Sequence, residues 1–220
     1  MHTTTSHCTV HLLNAGRELD AIGQGLQTAV LSTWTRAAPL LPLASVDVVV
    51  YHDPSHTIPE FGVGGYTPSA RRVLLAVDAT RPDMRAPAFT DRLGRLLAHE
   101  LHHCARWAGP GYGTTLGEAL VSEGLACLFE TEVFGGPPPF YARALTPAQL
   151  HMAEEHARAG RAVAAYDHAL WFYGSEPQRV PRHAGYALGY AVAMGHAQRQ
   201  GCSAAQLAHE PAERFWECGA

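Results

Sequence analysis

The segment from Phe89 to Phe134 constrains this chain most, because it sets ionisable residues into two stretches that otherwise read as buried helices. Leu93, Leu96, Leu97 and Leu101 recur at helical spacing, which predicts a helix over Phe89–Trp107 ended by Gly109 and Pro110. Inside it stand His99, Glu100, His102 and His103. After a Gly-Pro-Gly-Tyr-Gly loop, Leu116–Phe134 (LGEALVSEGLACLFETEVF) predicts a second helix, stopped by Gly135, Gly136 and the prolines that follow. It carries Glu118 and Glu123 in a mostly apolar run, where an ionised carboxylate is costly unless it is paired or bound to a metal. Five residues apart, the two glutamates face different directions on a helix, so only one of them reaches a given centre. Gly124 and Ala126 are small enough to let the two helices approach closely.

His99-Glu100-Leu101-His102-His103 satisfies the pattern HExxH. Residues at i and i+4 share a helix face, so His99 and His103 have the spacing to bind one tetrahedral ion. Glu100 then points beside the ion, within reach of a water in the fourth position whose proton a carboxylate can take. The pentapeptide by itself also fits a histidine-rich helix without metal, in a chain with 14 histidines. A catalytic zinc usually takes a third protein ligand, and Glu123, on the next helix, supplies a candidate. His102 points most of a turn away from His99 and His103, which suits a structural or surface role. Cys104 and Cys127 are soft donors, but cysteines on apolar helix faces read as core.

HExxH, nineteen residues, then a Glu on the next helix resembles the gluzincin metallopeptidases. The segment SEGLACLFE resembles the corresponding stretch of the M1-type aminopeptidases. HELHH, SEGLA and Gly185-Tyr186-Ala187-Leu188-Gly189-Tyr190, in that order, resemble the DUF2268 family of predicted zinc proteases, over roughly Val46 to Gly201. The resemblance implies Zn2+ held by His99, His103 and Glu123, with Glu100 as general base. In thermolysin-like enzymes an Asp four residues after the ligand Glu supports a ligand His. Cys127 stands there in this chain, which leaves Glu118 and Glu130 as candidates for that support. Glu118 also reads as a carboxylate favoured at a helix N-terminus. Zincins donate a hydrogen bond to the reaction's oxyanion from a later Tyr or His. Here Tyr186, then Tyr190, are the candidates, with packing in the core as the other reading. A zincin's peptide substrate pairs with an edge strand, for which Gly64, Gly65 and Tyr66 are the candidates; an ordinary hairpin is the alternative.

The rest of the chain predicts an α+β fold, which the resemblance implies is zincin-like: a small mixed or mostly antiparallel sheet packed on the HExxH helix, followed by a helical C-terminal half. Strands are expected at Thr9–Leu13, Val46–Tyr51 and Arg72–Val77, with an extended Gly-rich stretch at Phe61–Thr67. Helices are expected at Gly16–Trp34, from Pro147 with Thr146 as N-cap, and at Ala162–Tyr173, His183–Arg199 and Ser203–His209. A length of 220 residues fits one domain. Within it, the sheet and motif helices take residues 1–134, the helical part takes 140–220, and Gly135–Pro139 is the candidate joint.

A formal net charge of -4 argues against nucleic acid or an acidic membrane as partner. All 16 cationic residues are Arg, which excludes Schiff-base and P-loop lysine chemistry. Five scattered cysteines without a CxxC pair do not make a disulfide scaffold. Residues 1–9 are polar with no leader-like pattern, and no apolar run approaches the ~20 residues of a membrane helix. The expectation is a cytoplasmic protein acting on a peptide or protein. Three readings stay open: a peptidase, inclined to endopeptidase because no segment for clamping a substrate amine is present; a regulatory zinc-binding protein without turnover; and a zinc amidohydrolase on a non-peptide amide.

Overall fold

Val46, Val48 and Val50 alternate inward along the strand Val46–His52, and Val73, Leu75 and Val77 do the same along Arg72–Val77. This β-branched alternation is what a pleated, half-buried surface favours. In the computed structural model, which describes residues 7–164, 166–175 and 180–217, these strands lie at the centre of a four-stranded sheet. The described elements run β1 (Cys8–Leu13), α1 (Gly23–Ala37), β2 (Val46–His52), β3 (Val63–Ser69), β4 (Arg72–Val77), α2 (Pro87–Trp107), α3 (Leu116–Phe134), α4 (Pro147–Gly160), α5 (His168–Tyr173) and α6 (Ala184–Gln200). The order is α+β. The chain divides into two compact units, Met1–Ala108 and Gly109–Ala220.

In the first unit the sheet order is β1-β2-β4-β3. Of the two alternatives the sequence leaves, mixed and mostly antiparallel, the sheet is mixed: β1–β2 and β2–β4 are parallel, and only β3–β4 is antiparallel. The reason lies in the connections. α1 carries the chain back so that β2 runs alongside β1, whereas the short link from Ser69 to Arg72 can only reverse it. α1 packs on β1, α2 packs on β3 and β4, and the two helices pack on each other. α2 begins with Pro87 at its first turn and is tied to the preceding loops by Arg92, which donates to Asp83 and to the Phe61 carbonyl.

The helix expected from Gly16 starts only at Gly23. Asn14 accepts from the Leu19 amide and donates to Asp20, while Arg17 takes a left-handed φ of 66°, so residues 14–22 form a turn-rich loop.

In the second unit α3 has the bounds expected of it, and α4 starts at Pro147 under a Thr146–Gln149 capping box. α3 lies along α6. A Cβ on Gly124 would come within 2.0 Å of the Gly189 carbonyl oxygen, and one on Gly189 within 2.2 Å of the Leu120 carbonyl oxygen. Gly124 therefore admits α6, and the Gly-Tyr segment supplies the matching glycine. Leu116, Leu120, Trp171, Phe172, Ala184 and Leu188 fill the core of this unit. Of the helix expected over Ala162–Tyr173 only α5 forms. Asp167 caps it by accepting from the Leu170 amide, and Ala164 bridges to Thr115 instead. Residues 203–209 make turns rather than a helix, closed by reciprocal bonds between Ser203 and Gln206 and stopped before Pro211. Cys8, Cys104, Cys127 and Cys202 form no disulfide; Cys218 lies outside the described residues. No described helix is long and apolar enough to cross a membrane.

Candidate metal centre

Residues 96–106 of α2 are buried all round, so their polar side chains are enclosed in the fold. One helical turn brings the His99 and His103 rings together at a centroid separation of 4.8 Å and an interplanar angle of 80°. Their Nε2 atoms lie 3.1 Å apart. His102, on another face, has no exposed surface, so of its two expected roles the structural one applies. Cys104 and Cys127 are both buried, and burial pushes the Cys104 thiol up to about 12. Neither belongs to the group of residues that could hold an ion.

Glu100 is held from β3. The Thr67 hydroxyl lies 2.7 Å from Glu100 Oε2 and 3.1 Å from the Glu100 carbonyl oxygen. Gly65, two residues earlier on the same face of β3, leaves the space its Cβ would fill to the carboxylate: that Cβ would stand 2.5 Å from Oε1. The Thr67 carbonyl accepts from the Trp107 indole N–H at 2.9 Å.

Glu123 sits in the middle of α3 and accepts a 2.7 Å hydrogen bond on Oε1 from the Tyr112 hydroxyl. Burial, then the Glu123 charge, push the Tyr112 phenol well above its usual range, so it remains a proton donor. Tyr112 is a site residue that the sequence reading passed over. Its signal was a single aromatic residue in a Gly-Pro-Gly-Tyr-Gly loop between the two motif helices. Glu118, one candidate for supporting a ligand, closes the capping box of α3, the other role the sequence leaves it. Its Oε2 accepts from the Thr114 and Thr115 amides and the Thr115 hydroxyl. Glu130 is buried and accepts from the Tyr141 hydroxyl at 3.1 Å.

His99, His103 and Glu123 each offer one ligand atom, and these atoms all lie within 4.8 Å of one another. With exposures of 4%, 5% and 6%, the three are shielded from solvent. The donor set suits zinc: two imidazoles and a carboxylate, with no thiol among its members. Tetrahedral ligands at the usual zinc–nitrogen length lie about 3.3 Å apart, close to the 3.1 Å between the two Nε2 atoms.

The remaining candidates fall on both units. Gly64, Gly65 and Tyr66 lie on β3, an edge strand of the sheet. Gly65 and Tyr66 are exposed, whereas Gly64 is buried beneath the His56 carbonyl, which occupies the space of its Cβ. The segment is both an edge and the outer arm of the β3–β4 hairpin. Tyr186 is partly buried among Tyr141, Phe172 and His183, and lies close enough to Tyr112 to raise the latter's pKa. Tyr190 is partly buried one turn further along α6.

No curated protein and no solved structure matches this chain. The family model described as "Predicted Zn-dependent protease (DUF2268)" matches residues 26–217. With HELHH on α2, SEGLA on α3 and the Gly-Tyr segment on α6 all inside that span, the chain belongs to the DUF2268 family of predicted Zn-dependent proteases.

Proposed function

We propose that this chain is a zinc-dependent peptidase of zincin-like build, in which His99, His103 and Glu123 hold the ion and Glu100 is the general base. The observation that carries the reading is the pairing of a compact ligand group with a buried carboxylate beside it that belongs to β3's hydrogen bonding. A closed structural site takes four protein ligands and has no use for such a carboxylate, whereas a hydrolytic site needs one.

Zinc, when bound, supplies a Lewis acid that lowers the pKa of a coordinated water towards about 7. Glu100 accepts the proton of the attacking water on its carboxylate and delivers it to the leaving amine. Tyr186, or failing it Tyr190, donates to the oxyanion that develops on the scissile carbonyl. β3 offers its outer edge to an extended peptide, with the Gly65 backbone and the Tyr66 side chain exposed. Main-chain pairing of this kind suits an endopeptidase. The absence of disulfides among the described cysteines suits a reducing, cytoplasmic setting.

Metal analysis of the purified protein tests the ligands: Glu123→Ala should lose zinc, and full occupancy in that variant would remove the assignment. Glu100→Gln should keep zinc and lose hydrolysis of casein. Turnover that survives this change would place the chain outside the proposed mechanism.

A further inference from the structure

Gly65 and Thr67 stand at i and i+2 of β3, on the face that meets α2, and both bear on one carboxylate. Thr67 is buried and carries a single hydroxyl proton. Three groups are in range: Glu100 Oε2 at 2.7 Å, the Glu100 carbonyl oxygen at 3.1 Å, and the Cys104 sulfur, a weak acceptor. A hydrogen bond to an ionised carboxylate is shorter and about twice as strong as one to a neutral carbonyl, so the proton belongs to Oε2. Oε1 is left over Gly65, which is exposed, in the space that any side chain at position 65 would claim.

The donor is itself anchored. The register of β3 against β4 slips between Tyr66 and Ser69, and Thr67 falls in that irregularity. Its carbonyl is taken by the Trp107 indole, two turns along α2 from Glu100. β3 and α2 are thus tied at both the main chain and the side chain of one residue. Bulges of this sort recur where a strand aims a side chain at a site.

We infer that Thr67 is a positioning residue: its hydroxyl holds Oε2 of Glu100 and Gly65 clears the space beside it, so that Oε1 alone is presented for proton transfer. This rests on the peptidase reading, which assigns Glu100 as the base. A threonine that merely fills core would be replaced by valine, of the same shape, without consequence for Glu100.

The test compares Thr67→Val, which keeps the shape and removes the hydroxyl, with Thr67→Ser, which restores it. Crystal structures of the metal-free proteins give a readout independent of turnover. Glu100 should hold one position in the wild type and Thr67→Ser, and leave it in Thr67→Val. An unmoved carboxylate in Thr67→Val overturns the inference. With zinc loaded and casein as probe, kcat should fall about 10- to 100-fold in Thr67→Val at unchanged zinc content and similar KM, and recover in Thr67→Ser. The Trp107 indole resonance, assigned through Trp107→Phe, reports whether β3 still meets α2. If it is lost in Thr67→Val, Thr67→Ala takes that variant's place in every comparison. Glu100→Gln separates the two ideas. If it is inactive while Thr67→Val retains wild-type kcat, only the positioning role falls. If Glu100→Gln is active, the peptidase mechanism falls, and the metal-free structures still decide whether Thr67 holds the carboxylate.

Discussion

Tyr112 donates a 2.7 Å hydrogen bond to Oε1 of Glu123, from a loop residue to a carboxylate in the middle of a buried helix. The bond meets part of the cost of enclosing that charge, and it fixes which way the carboxylate faces. Tyr112→Phe removes the donor and little else. Zinc affinity, measured by competition with a chelator, should weaken about 10- to 100-fold, with the far-ultraviolet circular dichroism spectrum unchanged.

Glu118 makes the opposite prediction. Its carboxylate is spent on the capping box of α3. Glu118→Ala should lower stability in urea unfolding by about 1 kcal/mol and leave zinc affinity at the wild-type value. A loss of affinity comparable to that of Tyr112→Phe would return Glu118 to a supporting role at the metal.

Two glycines should respond to alanine with opposite signs. At Gly124 the added Cβ meets the Gly189 carbonyl oxygen at 2.0 Å, a backbone atom that cannot rotate away. The overpacking should exceed the helix-propensity gain and destabilise by about 1–3 kcal/mol. At Gly25 in α1 nothing lies within 4 Å of the new Cβ, and the substitution should stabilise by about 0.5–1 kcal/mol. Thermal midpoints of the two variants against the wild type check both signs.

Asp83 pairs with Arg81 within the loop before α2 and ties that loop to the helix through Arg92. The hydrogen bond from Arg81, then that from Arg92, holds its carboxyl down at about 2. A carboxylate depressed in the folded state contributes stability above the pKa it has when unfolded, and loses it as pH falls through the folded value. The stability deficit of Asp83→Asn should therefore be constant at neutral pH, then narrow below about pH 4 and vanish only once the pH is below the folded value of about 2. Urea midpoints across that range measure it.

Much of the fold was legible where local signals agree. Thr146 and Pro147 mark the start of α4, and the Gly135-Gly136 pair ends α3. Local signals failed where side chains outside the apolar pattern took over backbone bonds: Asn14 delays α1, Asp167 restarts the chain at α5, and Ser203 with Gln206 closes a turn. None of these changes the apolar pattern, so periodicity alone could not register them.

The site divides in the same way. His99, Glu100 and His103 are neighbours along one helix, so their spacing alone puts the two imidazoles on one face. The bounds of α3 and the burial of Glu123 in its apolar run were likewise readable from the residues themselves. What holds the two carboxylates was not readable. Tyr112 reaches Glu123 from a loop eleven residues away, and Thr67 reaches Glu100 from a strand thirty-three residues away. Nor did any local pattern say that Gly124 would face Gly189. A helix or strand period reports only which residues share a face. What that face meets is decided by packing between elements distant in sequence, which the tertiary structure alone determines.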